Sequence, residues 1–184
     1  MVLSCVLAAA CFAPENFDAT LAIDKRRHFQ FTYDGTIAFG PALGQIKQAG
    51  RLSAAEELQM QAQTADIRKM KGIVSAMYVG NGRYKIEYRE AGLLQSGRTL
   101  FLDLIKFQSD ANGGVRVIGQ SMPADVQKQM SETGLALDGR IRLTSEIPVV
   151  EHNAESTPWF GGLFGAYKWH VTSRQLLIPT VVIR

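Results

Sequence analysis

Ala19-Thr20-Leu21-Ala22-Ile23-Asp24-Lys25-Arg26-Arg27-His28-Phe29-Gln30-Phe31-Thr32-Tyr33 decides the fold. Ala19, Leu21 and Ile23 alternate with Thr20, Ala22 and Asp24. Beyond the polar link Lys25-Arg26-Arg27, Phe29, Phe31 and Tyr33 alternate with Gln30, Thr32 and Asp34. Successive side chains of a strand point to opposite faces, so period-two alternation marks half-buried strands, and a link this short joins them as a hairpin. The Lys25–Arg27 run offers cations to lipid phosphates, although a solvated turn is the simpler use of it.

Downstream, Pro41 suits a first helical turn, and a short helix is expected from Pro41 to Ala49, ending at Gly50. Ser53-Ala54-Ala55-Glu56 is a capping box, in which the serine oxygen and the glutamate carboxylate each take an orphan amide. It predicts a helix from Ala54 to about Lys71, with Arg68, Lys69 and Lys71 at its negative end and Gly72 as the stop. Ala55, Leu58, Ala62 and Ala65 form a thin apolar stripe, with Met60, Ile67 and Met70 to one side. Such a stripe suits a helix against a sheet edge, a lid over a pocket, or an ordinary amphipathic helix.

Asn81-Gly82 then marks a primed turn between Ser75–Val79 and the alternating Tyr84, Ile86 and Tyr88. A further hairpin is expected from Leu100–Phe107 through Ala111-Asn112-Gly113-Gly114 to Val115–Ile118, followed by a helix from Ala124 to Glu132. Strand patterns return at Ile141–Leu143, Ile147–Val150, Tyr167–Val171 and Leu176–Ile183, and Pro179 favours an edge or a bulge for the last. The sum is an α+β domain: a curved antiparallel sheet of about eight strands, with two or three helices packed on or beside it.

Upstream, the apolar run Val2–Ala10 has the length of a signal-peptide core and falls far short of the ~20 residues that span a bilayer. Leu7-Ala8-Ala9-Ala10-Cys11 closes it as a lipobox, with small residues before a cysteine that would take a diacylglycerol. The expected organisation is a signal peptide at 1–10, a lipidated tether at 11–16 and one domain at 17–184. Met1 leads directly into apolar residues, which points to a basic segment upstream of the printed start. Cys5 is a poorer lipidation site because almost no apolar run precedes it. The other reading of this stretch is an apolar strand or helix of the mature fold that happens to contain Cys11. Phe12, rather than aspartate, follows the cysteine, which favours the outer membrane in a host that retains lipoproteins by that rule.

Residues 12–184 contain no cysteine, which excludes a disulfide framework and a cysteine-type zinc site in the domain. A net charge of +3, with 46% hydrophobic and 20% charged residues, is ordinary for a globular domain and too diffuse for nucleic acid. No metalloprotease pair, nucleophile elbow, phosphate loop or dinucleotide fingerprint is present. His28 and His170 fall on the polar phase of their strands, and His152 lies in the polar stretch Glu151-His152-Asn153. Neither enzymatic activity, a cofactor nor a metal is expected. Trp159-Phe160-Gly161-Gly162-Leu163-Phe164-Gly165 stands outside any periodic pattern. Trp159, Phe160, Leu163 and Phe164 on a glycine-loosened backbone are expected to line a ligand pocket, meet a bilayer interface, dock a partner, or fold back onto the core.

The lipobox, the opening hairpin, the central helical insert and the ending Glu151-His152-Asn153 … Tyr167-Lys168-Trp169-His170-Val171 resemble uncharacterised proteobacterial lipoproteins. More distantly, they resemble the mycobacterial LppM-type lipoproteins. The resemblance implies a sheet-and-helix domain of lipid-binding character, and carries over Cys11 alone as a functional residue. LppM-type relatives also carry a C-terminal membrane helix, whereas this chain reaches Arg184 on a strand. The expectation is therefore a non-enzymatic, lipid-anchored envelope protein facing the periplasm. Its ligand would be a lipid or other hydrophobic molecule held under the helix-covered sheet. The alternative is an accessory subunit of an envelope complex.

Overall fold

The computed structural model describes residues 12–119, 132, 134–159, 165–173 and 178–184. In chain order these form β1 (Phe12–Ile23), β2 (His28–Phe39), α1 (Gly40–Ala49), α2 (Ala54–Ile67), β3 (Ile73–Gly80) and β4 (Arg83–Leu93). There follow β5 (Thr99–Leu100), β6 (Ile105–Ser109), β7 (Val115–Gly119), β8 (Asp138–Ser145), β9 (Val149–His152), β10 (Tyr167–Thr172) and β11 (Thr180–Ile183). The α+β class holds, with eleven strands in two sheets in place of about eight in one. The larger sheet runs β10-β8-β1-β2-β4-β3, and the smaller runs β5-β6-β7-β11-β9. The expected helix over Ala124–Glu132 lies, Glu132 apart, outside the described residues.

Hairpin chemistry builds half of the larger sheet. β1 and β2 pair antiparallel from Ile23↔Phe29 to Phe12↔Phe39, and the Asn81 and Gly82 φ angles of +53° and +71° turn β3 into β4. One pairing breaks the antiparallel expectation: β8 lies parallel to β1, from Asn16↔Asp138 to Ile23↔Ser145. Parallel neighbours need a long crossover rather than a tight turn. Here the crossover contains the helices, three further strands of the larger sheet and three of the smaller.

Residues 12–16 are not a tether. They are the first third of β1, with Phe12, Ala13 and Pro14 paired to Phe39, Ala38 and Ile37. The register then slips between Pro14 and Phe17, and this bulge turns Glu15 inward, where Arg83 grips it in bidentate fashion (Nε–Oε2 2.7 Å, Nη2–Oε1 3.0 Å). That bond holds the Arg83 guanidinium even more firmly protonated than usual. Phe17 stacks on Tyr33 at 5.4 Å and fills the space left by two glycines. A Cβ on Gly35 would stand 2.4 Å from the Phe17 Cβ, and one on Gly139 would stand 2.1 Å from its ring.

The two sheets face each other across the main apolar core, and Ala38, Leu43 and Leu135 form a second, small cluster. Phe29 meets Phe107 edge-on at 5.3 Å, while Phe101 lies 4.6 Å from Tyr33 and 4.5 Å from Tyr88. Arg98 covers the Phe29 ring at 4.9 Å and pairs with Glu90. At the β6–β7 turn, the Asp110 carboxylate takes Arg184 at 2.8 Å and Arg116 at 3.4 Å, which together hold it below the usual carboxylate range, Arg184 foremost. Pro179 suggested an edge or a bulge for β11; the strand is interior, between β7 and β9, and its register with β9 shifts between Val182 and Ile183. The proline precedes the strand, so its missing N–H costs the ladder nothing, and its carbonyl accepts from Gly119 N at 2.7 Å.

Helix α2 forms the expected capping box but turns a different face inward. Ala55, Leu58, Ala62 and Ala65 face solvent, whereas Met60, Thr64 and Ile67 are buried, spaced at i, i+4 and i+7. Tyr84 sets the orientation by donating its hydroxyl to the Met60 carbonyl at 3.0 Å, and Arg68 donates to the Ala76 carbonyl at 2.8 Å. Burial of that hydroxyl pushes the Tyr84 pKa up to about 12. The helix ends at Ile67 rather than Lys71, because Lys69 and Met70 bond back to Asp66 and Ile67 in a tightened last turn. Through Met60, Thr64 and Ile67 it packs onto the sheet, while its first turn borders a surface cavity with Gln45, Ala49 and Leu52.

Replacing Arg83 with Met would leave the Glu15 carboxylate covered and unpaired. The loss of a buried partner predicts destabilisation of about 3 kcal/mol or more, read as a lower urea midpoint. A midpoint unchanged from the native chain would show that the pair contributes nothing.

Candidate functional site

Parallel pairing brings the C-terminal ends of β1 and β8 to one rim of the larger sheet, beside the turn Asp24–Arg27. The chain leaving β8 folds over at Glu146–Pro148 and is tied to that turn. Glu146 N donates to the Ile23 carbonyl at 2.9 Å, Lys25 N donates to Glu146 Oε2 at 3.2 Å, and Ser145 Oγ donates to the Ile147 carbonyl at 2.7 Å. Between these segments and Tyr167 opens a cleft of ≈ 840 Å³. Ile23, Ile147, Pro148, Val149 and Tyr167 give it an apolar flank, and Asp24, His28, Gln30, Thr144 and Glu146 a polar one.

The described residues that flank the aromatic stretch singled out in the sequence border this cleft. Pro158 and Gly165, on either side of it, line the opening, and Trp159 is 73% exposed. Phe160, Leu163 and Phe164 lie outside the described residues, as does Cys11. The cleft residues themselves went unnoticed in the sequence. Their one local signal was the polar run Asp24–His28, and a parallel pairing between segments so far apart leaves no local trace.

Asp24 organises the polar flank. Its Oδ1 accepts from the backbone amides of Arg26 and His28, each at 2.8 Å. The His28 amide is the main cause that holds the Asp24 carboxyl below its ordinary range. The His28 imidazole lies 3.4 Å from Asp24 Oδ2. Ser145, a nucleophile type in the lining, donates its hydroxyl to the Ile147 carbonyl at 2.7 Å and accepts from Ile147 N at 3.1 Å. Those two carboxylate and hydroxyl placements brace a turn; they do not form an activated Ser–His pair.

The other histidines stand elsewhere. His170 Nε2 contacts Asp138 at 2.6 Å on the exposed face, as its polar phase predicted. His152 is part of β9 rather than a polar turn, its ring tilted against that of Tyr167 at 4.9 Å. Its neighbour Asn153 is a structural joint: it accepts from Trp169 Nε1 at 2.9 Å and Thr180 N at 2.8 Å, and donates to the Ile178 carbonyl at 2.7 Å. Among the described residues, no group of three His, Cys, Asp or Glu side chains is placed to hold a metal. No helix among them is long and apolar enough to cross a membrane.

Fold and site together define a two-sheet α+β domain with an open, half-polar surface cleft. No protein-family model matches the chain, and no curated protein sequence matches it. Among solved structures it is similar to the folded domain of the Mycobacterium tuberculosis LppM protein, determined by NMR. The two share 9% identity over 92% of this chain and 89% of that one, with a TM-score of 0.45.

Because the Asp24 pKa is depressed in the folded state, its carboxylate braces the turn above the unfolded carboxylate pKa, and the brace is lost as pH falls through the lower folded value. NMR should show the Arg26 and His28 amide protons moving together on acidification, with a midpoint below the ordinary Asp value of about 3.9. A midpoint at or above that value would contradict the assigned role.

Proposed function

We propose that the chain is a lipid-anchored, non-enzymatic envelope protein that binds a lipid or other hydrophobic ligand in the Asp24–Tyr167 cleft. The cleft is the observation that carries the binding reading. Its volume of ≈ 840 Å³ is of ligand size, where sites run about 300–1,000 Å³. Its two flanks match an amphiphile that lays an apolar face on Ile147, Val149 and Tyr167 and turns a polar group towards Gln30 and Thr144. Between the sheets, the gap lined by Leu21, Leu143, Trp169, Val117 and Val181 holds ≈ 10 Å³, about one water. The surface cleft is therefore the binding site we propose, in place of the space under the helix-covered sheet.

The anchor rests on Leu7–Cys11, and the outer membrane is favoured by Phe12 after the cysteine. The accessory-subunit reading keeps one specific support, the exposed Trp159 indole beside the cleft, which suits a protein partner equally well.

Two chains stably hold a protein on a membrane at ~0.8 kcal/mol per buried CH₂, so Cys11→Ala is expected to move the domain into the soluble periplasmic fraction. Its persistence in membranes would refute the lipobox. The Cys11→Ala chain, purified without detergent, is then expected to carry a stoichiometric lipid-sized adduct in native mass spectrometry. Gln30→Trp, which fills the cleft from an exposed position, should remove that adduct. A clean apo mass from the unplugged chain would favour the accessory-subunit reading.

A further inference from the structure

The anchor residue and the cleft belong to opposite ends of one strand. Cys11 is bonded directly to Phe12, so its Cα lies 3.8 Å from the first residue of β1. Phe12 is fixed: it pairs with Phe39, and its ring packs 5.2 Å from Phe39 and 5.9 Å from Tyr84. Pro14 pairs with Ile37 and Glu15 is held by Arg83, so no flexible link separates a lipid on Cys11 from the folded body. The β3–β4 turn belongs to this same end, since Phe39 N donates to the Gly82 carbonyl at 2.8 Å. Beside it stand two exposed apolar side chains: Val79, next to the turn, and Leu58, next to Glu57, which accepts from Asn81 N at 3.2 Å.

β1 then runs twelve residues to Ile23, roughly 35 Å at about 3.3 Å per residue, before it reaches the cleft. We propose that the domain stands on the end formed by Phe12, Phe39 and the Asn81 turn. Val79 and Leu58 there touch a lipid bilayer surface, and the cleft with Trp159 opens away from that membrane. This rests on the anchor reading and goes beyond it. The direct Cys11–Phe12 bond keeps the Phe12 end of β1 within one residue of the lipid, and the exposed Val79 and Leu58 side chains lie at the end the lipid would draw down. The cleft would therefore take its ligand or partner from the far side, and not from the lipids that hold the anchor.

The test is quenching of tryptophan emission by phospholipids brominated near the glycerol end of their chains. The full lipidated protein is reconstituted into phosphatidylcholine–phosphatidylglycerol vesicles. Trp159 is the native reporter of the cleft end, and the buried Trp169 is an internal reference. In a Trp159→Phe background, Val79→Trp and Leu58→Trp report the proposed membrane end, and Thr32→Trp the exposed outer face of the larger sheet. Quenching of the Val79→Trp and Leu58→Trp reporters, with Trp159 and the Thr32→Trp reporter unquenched, is the expected result. Quenching of Trp159 or of the Thr32→Trp reporter, or none at Val79→Trp and Leu58→Trp, in a lipidated, vesicle-bound chain overturns this orientation alone. A chain that lacks the diacylglyceryl mass and floats free of vesicles overturns the anchor reading, and the orientation with it.

Discussion

Everything in this fold depends on how β1 is held between two neighbours that run in opposite senses. β2 pairs with it antiparallel through a short turn, and β8 pairs with it parallel across more than a hundred residues. The parallel pair cannot be closed by a hairpin, so most of the chain lies in the crossover, and three strands of that crossover become part of the second sheet. Where the three strands meet, Phe17 needs Gly35 and Gly139 to have no side chains, and the bulge beside it directs Glu15 to Arg83. The same parallel pair leaves the ends of β1 and β8 at one rim, which makes the cleft. Architecture and candidate site thus share one cause.

Much of this was written locally. The alternation around Leu21 and Phe31 and the Asn81-Gly82 turn specify their hairpins through side-chain period and backbone freedom, and both formed as expected. Signals failed where the deciding contact was distant. The stripe Ala55–Ala65 lost to Met60, Thr64 and Ile67 because a tyrosine hydroxyl on β4 claimed the Met60 carbonyl. Phe12–Asn16 looked like a tether because Pro14 and the charged Glu15 conceal a strand whose partners lie more than twenty residues on. β5 and β6 were read as one strand because their turn uses Leu102 and Asp103 at positive φ, where glycine or asparagine would have announced it.

The site was legible only at its margin. Trp159 and its glycine-rich neighbours stood out because they break periodicity, and the described ends of that stretch do border the cleft. Asp24, Thr144 and Tyr167 carry no such mark: each is an ordinary residue on an ordinary strand or turn, made part of a site only by the β1–β8 register. The histidines, the most obvious candidates for chemistry in the sequence, lie in exposed contacts with Asp24 and Asp138 and against the Tyr167 ring.

The central position of β11 also bears on how the chain acquires its structure. Residues 180–183 supply the strand between β7 and β9, and Arg184 closes on Asp110 at the opposite turn of that sheet. The larger sheet likewise waits for β8 and β10 before β1 gains its second neighbour. Neither layer can be completed while only the first two-thirds of the chain is available. Ladders built from such distant segments form slowly, since loop closure must precede any gain from pairing.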